Sequence, residues 1–268
     1  MPTTLRPLAG LLYSGGKLMR PDGRQALELR PVEILPDFIT SAEGSALIKL
    51  GETQVICTAS VEEGVPPFLK GMGRGWISSE YSMIPRATGS RTPREAVRGK
   101  QSGRTMEIQR LIGRSLRAVA SLEGLGERTV LMDCDVIRAD GGTRTASITG
   151  SMVALELALR KLTQMKALAR PPLKDYVAAI SVGIIGGEIL LDLNYAEDSN
   201  ADVDVNVVMT GSGQLVEIQA TAEAAPFPKD RLAELIAAAE PAIAKLVNAQ
   251  KSAVKTEPRP DGLMSDRG

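Results

Sequence analysis

The chain has 268 residues, of which 43% are hydrophobic, and this suits one large domain or two small ones with well-formed cores. Its 32 basic and 32 acidic residues cancel, so composition alone indicates no nucleic-acid, membrane or acidic partner. It contains no histidine, which excludes serine–histidine and cysteine–histidine catalysis and leaves carboxylates, arginine, lysine, hydroxyl groups or a hard metal ion to carry any chemistry.

The N-terminal segment lacks a basic region followed by a long apolar run, so no secretory signal is predicted. Residues 1–18 show no hydrophobic period and are expected to form a loose arm. The longest uncharged apolar stretch, residues 176–187, is glycine-rich and shorter than the roughly 20 residues that cross a bilayer. The sequence therefore predicts a soluble, cytoplasmic protein with no membrane partner.

The first regular structure that the sequence predicts is a hairpin. Residues 46–50 and 54–61 alternate in polarity on either side of a turn at residues 51–53. Glycine, proline, serine and arginine are frequent over the following segment, with one short strand expected near Trp76 and Tyr81. Most of residues 86–103 is predicted to be an exposed, mobile loop.

A helix is predicted to begin near Arg104. Its apolar residues repeat along one helical face and are Ile108, Leu111, Ile112, Leu116 and Val119. A parallel basic stripe consists of Arg110, Arg114 and Arg117. A strand over residues 129–137 follows, and it contains Cys134. Like Cys57 of the hairpin, this cysteine is expected to be a buried free thiol in a reducing cytosol.

The stretch ADGGTRTASITGS, residues 139–151, combines two glycines, one arginine and five hydroxyl side chains. Apolar residues repeat through it and beyond it at helical spacing, and they are Ile148, Met152, Leu155, Leu159 and Leu162. This spacing predicts a strand-to-helix turn at the glycines, with Thr143 as the N-cap of the helix.

Two interpretations of that turn stand side by side. Unpaired N–H groups at a helix N-terminus favour an anion, to which Thr143 and Thr145 could add hydroxyl donors and Arg144 a bidentate donor. Alternatively, Thr143 only caps the helix and Arg144 forms a surface salt bridge. The short motif favours neither, and it is not a Walker A loop, because the GxxxxGK[ST] pattern is absent.

The second half of the chain begins after a proline-containing linker at residues 167–174. Strands are predicted over residues 177–185, 188–193, 203–209 and 214–221, with a Gly-Gly hairpin turn between the first two. A helix is predicted over residues 229–249, and a disordered charged tail from Lys251. The order of elements predicts an α+β protein in two similar halves.

Charge is sorted along the chain although it cancels overall. Residues 86–117 carry nine Lys or Arg and two Glu, whereas residues 175–228 carry nine Asp or Glu and no Lys or Arg. Both segments could simply be solvated faces. Against that, four aspartates cluster around one strand-loop-strand unit, namely Asp192, Asp198, Asp202 and Asp204. Asp202, Asp204 and Asn206 alternate with valines and are expected on one strand face, where an all-oxygen ligand set suits Mg²⁺ or Mn²⁺.

Several motifs, in one unbroken order from about residue 19 to about residue 250, resemble those of the ribonuclease PH family. They are MRPDGR at 19–24, EG at 43–44, CTAS at 57–60, GWI at 75–77, GKQSGRTMEIQR at 99–110, DCDV at 133–136, ADGGTRTASITG at 139–150, EDS at 197–199 and DVNVVMT at 204–210. Their combination makes the resemblance specific in a way that no single motif does. Residues 1–18 precede the family's usual start, and the tail is longer than the family core needs.

The resemblance implies a phosphate-dependent 3′→5′ exoribonuclease, a tRNA nucleotidyltransferase that trims the 3′ ends of tRNA precursors and releases nucleoside diphosphates, with nucleotide addition as the reverse reaction. It implies an α+β subunit with a two-part split β-α-β core, related to the ribosomal-protein and kinase-type β-α-β superfamily, and a homohexamer built as a trimer of dimers. It divides the chain into an arm at residues 1–18, a phosphate- and RNA-binding domain at 19–166, an acidic, metal-side domain at 175–250 and a disordered tail at 251–268.

The resemblance also implies roles for individual residues. Inorganic phosphate, the co-substrate, is expected to be bound by Arg104, Gly142, Thr143 and Arg144. The catalytic pair, which would also hold Mg²⁺ or Mn²⁺, is expected to be Asp198 and Asp204. RNA binding and ring assembly are expected to involve Arg86, Arg91 and Arg94.

Two other functions stay open at this point. A catalytically silent ring subunit would only guide RNA, but it would be free to lose the arginines and aspartates that this chain keeps. A small-molecule kinase would use related β-α-β architecture, but the sequence has no glycine-rich ATP loop of the usual pattern. Nucleoside diphosphates released from RNA only in the presence of phosphate would separate the three functions.

Overall fold

The structure is a computed structural model that describes residues 12–14, 17–223 and 225–255. Its strands are β1 Leu12–Ser14, β2 Lys17–Met19, β3 Val32–Pro36, β4 Gly44–Leu50, β5 Thr53–Glu63, β6 Trp76–Met83, β7 Arg128–Arg138, β8 Val177–Ile185, β9 Glu188–Leu191, β10 Val203–Thr210 and β11 Leu215–Ala222. Its helices are α1 Gly103–Val119, α2 Leu122–Leu125, α3 Thr143–Gln164, α4 Tyr195–Asp198 and α5 Lys229–Lys255, with 3₁₀ turns at Pro67–Leu69 and Glu95–Arg98.

The first half is a five-stranded sheet in the order β3-β4-β5-β7-β6. Its neighbours run antiparallel except β6 and β7, which are parallel because α1 crosses over between them. Helix α1 buries the apolar face that the sequence predicted, and Ser102 caps it by accepting a hydrogen bond from the Thr105 N–H. Cys57 and Cys134 face each other across β5 and β7, and both are buried and free, as predicted.

The second half is a four-stranded antiparallel sheet in the order β11-β10-β8-β9, with α5 packed against β8 and β10. Gly186 and Gly187 both adopt positive φ and form the predicted turn between β8 and β9. The α+β fold in two halves is therefore confirmed. In the part of the chain that the structure describes, no helix combines the length and apolarity that a membrane span requires.

Helix α3 lies between the two halves, in contact with β4 and β5 on one side and with β8 and α5 on the other. Most of its residues are buried, so its hydroxyl groups must find partners inside the protein. Ser147 donates to the Thr143 carbonyl, Thr149 accepts from the Ala179 N–H, and Ser151 hydrogen-bonds the Cys134 thiol. Most of the hydroxyl run at residues 143–151 thus serves packing in the interior.

The structure corrects three expectations. The N-cap of α3 is Gly142 in a left-handed conformation, and Thr143 is the first helical residue. Helix α5 runs through Lys251 to Lys255 because Ala253 and Val254 are buried, while residues 256–268 of the predicted tail lie outside the described residues. Within the predicted arm, β1 and β2 form a short antiparallel ribbon, and the rest of residues 1–18 also lies outside the described ranges.

Candidate functional site

A polar pocket of about 400 Å³ opens where the N-terminal ends of α1 and α3 meet α4, β10 and β11. It is lined by Arg104, Glu107, Arg144, Asp198, Asp204, Asn206, Gln219, Thr221 and Glu223. The first three of these residues come from the first half of the chain and the other six from the second. The pocket therefore forms only when the two halves pack together.

The two pocket arginines occupy equivalent places on two helices. Arg104 is the second residue of α1, and Arg144 is the second residue of α3. Free N–H groups and the helix macrodipole make such ends favourable for anions. Arg144 donates to the Gln219 Oε1 atom at 2.9 Å, and its Nη1 lies 3.5 Å from the Glu107 carboxylate. Gln219 in turn donates to Glu107 at 2.7 Å, so a residue of β11 orients an arginine of α3.

Two carboxylates, Asp198 and Asp204, face these arginines across the pocket. Asp204 lies on β10, and its Oδ1 atom is buried without a hydrogen-bond partner. Burial, and then the charge of Asp198, raises the pKa of Asp204 to about 6. Burial also raises the pKa of Asp198, against the opposing charges of Arg104 and Arg144. Both groups therefore resist ionisation and would be stabilised as carboxylates by added positive charge.

The other two aspartates of the predicted cluster do not enter the pocket. Asp192 is fully buried and forms an ion pair of 2.7 Å with Arg30. Asp202 precedes β10 and accepts a hydrogen bond of 2.9 Å from the Gly186 N–H, so it fixes the turn between β8 and β9. Of the four clustered aspartates, hydrogen bonding thus assigns these two to structure, and only Asp198 and Asp204 line the pocket.

The hydroxyl groups that follow the glycine turn before α3 form hydrogen bonds within the protein. Gly141 and Gly142 have φ values of 75° and 67°, a region that glycine adopts without strain. The Thr143 hydroxyl shares a hydrogen bond of 2.8 Å with the Tyr81 hydroxyl, and Thr145 donates to the Gly142 carbonyl at 2.9 Å. Thr145 therefore donates within the protein, whereas the Thr143 hydroxyl, which shares its bond with Tyr81, stays a candidate donor to an anion.

A larger groove of about 940 Å³ adjoins the pocket, and Arg104 lines both. Its walls include Arg94, Lys100 and the acidic residues Asp133 and Asp135 of β7. Burial raises the pKa values of both aspartates. The other two arginines expected to bind RNA, Arg86 and Arg91, are exposed on the same segment of chain.

Sequence reasoning missed the pocket residues that come from β11 and from the second turn of α1, above all Gln219 and Glu107. A signal for the β11 residues was present in the pairing of β10 with β11. Gln219 lies opposite Asn206 and Thr221 lies opposite Asp204 in that hairpin. Because opposed residues share a sheet face, the register alone would have placed them beside the aspartate.

The pocket residues whose oxygens could hold a metal ion are the two aspartates, Asp198 and Asp204. Among the described residues, no group of three or more His, Cys, Asp or Glu side chains is arranged to enclose a metal ion. The pocket nevertheless combines four carboxylates with only two guanidinium groups, and one carboxylate oxygen lacks a partner. Such a donor set suits a hard cation that completes its coordination with substrate oxygens or water.

Comparisons with known proteins find relatives over most of this chain. The model of the 3′ exoribonuclease family matches residues 28–160 by its domain 1 and residues 175–241 by its domain 2. Ribonuclease PH of Bacillus cereus (strain B4264) is 59% identical over 237 residues, which cover 88% of this chain and 97% of that protein. Ribonuclease PH of Bacillus anthracis (strain CDC 684 / NRRL 3495) is also 59% identical over 237 residues, with the same shares.

Solved structures of similar fold include an archaeal exosome chain and a rice protein. A chain of the Archaeoglobus fulgidus exosome with RNA bound to the active site aligns with a TM-score of 0.73 and 25% identity, covering 85% of this chain and 91% of that one. Rice Rrp46 aligns with a TM-score of 0.71 and 19% identity, covering 88% of this chain and 100% of that one, which shows the shared fold.

Proposed function

The chain belongs to the ribonuclease PH family, and from that premise we propose that the pocket between α1, α3 and α4 is where inorganic phosphate cleaves the 3′ end of RNA. The activity is that of a phosphorolytic 3′→5′ exoribonuclease, or tRNA nucleotidyltransferase. The observation that carries the assignment of the site is the meeting of two helix-terminal arginines with two carboxylates that form no ion pair with any arginine in the described part of the chain.

The attacking phosphate fits beside Arg104 and Arg144. Both side chains extend from the first turn of a helix, where free N–H groups add to their positive charge. Gly142 lets the backbone approach the anion closely, and the N–H groups of Thr143 and Arg144 point out of the helix end. In this role Thr143 contributes its backbone, while its hydroxyl remains bonded to Tyr81.

Asp198 and Asp204 are the residues that would hold Mg²⁺ or Mn²⁺. The unpartnered Oδ1 atom of Asp204 and the excess of carboxylates over guanidinium groups fit such an ion. When bound, the ion would neutralise charge on the oxygens of the scissile phosphate. The chain itself supplies position and charge, which are the main requirements of phosphoryl transfer.

In the reaction a phosphate oxygen attacks the phosphorus of the last phosphodiester, and the bond from that phosphorus to the 3′-oxygen of the preceding nucleotide breaks. The terminal nucleotide leaves as a nucleoside diphosphate, and the shortened chain takes a proton on its new 3′-hydroxyl. The attacking monohydrogen phosphate supplies this proton overall, and Asp204, as a carboxylate, assists its transfer. Phosphate is already ionised near neutral pH, so the reaction needs no histidine base.

RNA reaches the pocket along the adjoining groove, which shares Arg104 with it. Arg94 lines this groove, and the exposed Arg86 and Arg91 lie on the same segment, so the three arginines provide charge for an RNA backbone or for a neighbouring subunit. On the family resemblance we propose tRNA precursors as the RNA, the cytoplasm as the place of the reaction, and a homohexamer built as a trimer of dimers. Light scattering at several protein concentrations tests the hexamer.

One assay tests the function. The protein is incubated with 3′-labelled RNA and Mg²⁺, with and without inorganic phosphate. Nucleoside diphosphates that appear only with phosphate are expected. Nucleoside monophosphates would instead indicate hydrolysis, and no release would favour a silent, RNA-guiding subunit. Transfer of phosphate to a small molecule from ATP, without action on RNA, would favour the kinase alternative.

Variants of the pocket test the assignment of residues. Arg144→Ala and Arg104→Ala are each expected to raise the KM for phosphate much more than the Kd for RNA, and Asp204→Ala to lower turnover by about 10³-fold with the fold intact. Arg128→Ala is a matched control, because Arg128 pairs with Glu63 and does not line the pocket. An unchanged phosphate KM in both arginine variants would show that the anion binds elsewhere.

A further inference from the structure

A second set of charged residues lies buried behind the pocket. Arg20 and Arg30, which are 5% and 4% exposed, pair with Glu197 and Asp192, both 0% exposed. Arg20 belongs to the MRPDGR motif, and the two acids belong to the acidic segment of the second half. The reaction described above uses none of these four residues directly. Glu197, however, directly precedes Asp198, and Arg30 contacts the glycine turn before Arg144.

Arg30 holds the glycine turn. Its Nη2 and Nε atoms donate to the two carboxylate oxygens of Asp192 at 2.7 and 3.0 Å, and its backbone N–H donates to the same group at 2.8 Å. The Nη1 atom donates to the Asp140 carbonyl, and Nη2 lies 3.4 Å from the Gly141 carbonyl. One planar guanidinium group therefore joins a buried carboxylate to the two carbonyls that shape the turn before Arg144.

Thr53 holds the same turn from the other side. Its hydroxyl donates to the Gly141 carbonyl at 2.7 Å and accepts from the Asp140 N–H at 2.9 Å. Thr53 is 0% exposed, so these bonds are shielded from water. The conformation of the turn is thus set by Arg30 and Thr53 together.

Arg20 holds the short helix that ends in Asp198. Its Nε and Nη2 atoms each donate to one oxygen of the Glu197 carboxylate at 2.7 Å. Glu197 also accepts from the Asn194 N–H at 3.0 Å, which completes the capping box of α4. The bidentate pair therefore fixes α4 at the residue next to Asp198.

The glycine turn and α4 are in direct contact. A Cβ atom on Gly141 would lie 2.5 Å from the Leu193 carbonyl oxygen and 2.9 Å from the Tyr195 nitrogen, so only glycine permits this approach. The Tyr195 N–H lies 3.3 Å from Asp140 Oδ1. Asp192 is also linked to both arginines, because its carbonyl accepts from Arg20 at 3.0 Å. The phosphate side and the carboxylate side of the pocket thus rest on one buried ionic network.

We propose that Arg30 and Glu197 are positioning residues for phosphorolysis, with separate effects on the two sides of the pocket. Arg30 positions the glycine turn, and through it Arg144, for phosphate. Glu197, held by Arg20, positions Asp198 for the divalent cation. The inference rests on the proposed function of the pocket and adds residues that act on it from behind.

The shape of the guanidinium group gives the proposal its test. A lysine at position 30 keeps the charge beside Asp192, but one ammonium group cannot reach both turn carbonyls and both carboxylate oxygens. Glu197→Gln keeps the size of the side chain and the cap of α4, but weakens the bidentate bond to Arg20. Each variant therefore disturbs one side of the pocket more than the other.

The experiment measures steady-state phosphorolysis of an RNA oligonucleotide, equilibrium dialysis of labelled inorganic phosphate, and Mn²⁺ binding by electron paramagnetic resonance without RNA. Arg30→Lys is expected to raise the KM and the Kd for phosphate by about tenfold or more and to leave Mn²⁺ affinity within about threefold. Glu197→Gln is expected to show the opposite pattern, with weaker Mn²⁺ binding, a lower kcat and a phosphate KM within about threefold.

Thr53→Val is the second variant for the glycine turn, because it removes only a hydroxyl group and keeps the volume. It is expected to raise the phosphate KM by about threefold to tenfold in the same direction as Arg30→Lys. The control is Arg160→Lys, which alters an ion pair away from the pocket, where Arg160 Nε and Nη2 both donate to one oxygen of the buried Glu156. It is expected to lower the thermal midpoint while kcat and KM stay unchanged.

Two outcomes would overturn the inference. The first is a phosphate KM within about twofold of the wild type in folded Arg30→Lys and Thr53→Val proteins. The second is an equal, proportionate loss of both affinities in Arg30→Lys and Glu197→Gln, which would indicate a purely structural network. Arg144→Ala in the same assay separates the two proposals. If it alone weakens phosphate binding, the site stands and the positioning role fails, whereas no effect of Arg144→Ala removes the site itself.

Discussion

Two regions of this protein combine arginines with carboxylates in opposite ways. In the buried network, Arg20 and Arg30 form bidentate bonds with Glu197 and Asp192. In the pocket, no arginine of the described chain lies within ion-pair distance of Asp198 or Asp204. Residues of the same types therefore fix the backbone in one region, and in the other they are free to receive the ligands that we propose.

The difference is visible in how each carboxylate meets its surroundings. Asp192 accepts three hydrogen bonds from Arg30 alone, and burial of its charge is offset by them. Asp204 has a buried oxygen without a partner, and its pKa is raised to about 6 mainly by burial. Because Asp204 also lines the polar pocket, we expect a ligand to supply the partner that this oxygen lacks.

The largest effect on stability is expected when one charge of the buried network is removed. Asp192→Asn leaves the Arg30 guanidinium buried beside a neutral amide, so the free energy of unfolding is expected to fall by about 3–5 kcal/mol. Asp202→Asn is the matched control, since Asp202 only accepts one bond at an exposed turn, and its cost is expected to stay below about 1 kcal/mol. Urea unfolding of both variants measures the difference. Equal losses would mean that pairing does not distinguish these aspartates.

A smaller effect, a gain in stability and not a loss, is expected when Asp204 of the pocket is replaced. In a metal-free protein with chelator, the folded state holds a proton on Asp204 up to a pKa of about 6, whereas the unfolded state releases it near the ordinary value of 3.8. The unfolded state therefore binds fewer protons between these values, and wild-type stability falls as pH rises through that window. The side chain of the Asp204→Asn variant cannot ionise, so its stability does not fall over this pH range for that reason.

Asp204→Asn is thus expected to be more stable than the wild type at pH 7 by about 2 kcal/mol relative to their difference at pH 4, while losing activity. Thermal or urea unfolding of both proteins from pH 4 to pH 7 measures this. A stability difference that stays constant over the whole range would contradict the raised pKa of Asp204 and weaken the contrast between the two regions.

The smallest effect is expected for an arginine that belongs to neither region. Arg91 is exposed, and among the described residues it forms no ion pair and lines neither the pocket nor the groove. Arg91→Ala is expected to weaken RNA binding a few-fold and to reduce the slope of log K against log salt by about one, with the phosphate KM unchanged. Fluorescence anisotropy over a range of salt concentrations measures this, and an unchanged slope would remove Arg91 from the RNA path.

Local patterns predicted several elements well from apolar spacing and turn residues alone. The apolar residues of α1, the hairpin of β4 and β5 and the glycine turn between β8 and β9 all follow from spacing and turn residues. Boundaries were less accurate where tertiary contacts extend an element. Helix α5 continues past Lys251 because Ala253 and Val254 find a buried surface, and β3 formed at the sheet edge without a predicted strand there.

The sequence by itself determined which residues are available for chemistry, namely arginines at two helix starts, an acidic segment and no histidine. Only the tertiary structure decided which of four neighbouring aspartates are paired and which are not. The reason is that the partners come from distant positions, as Arg30 does for Asp192 over 162 residues. The spacing of residues in the sequence predicts which side chains share one face of a helix or strand. Which charged residues pair depends instead on how the two halves of the chain pack around α3.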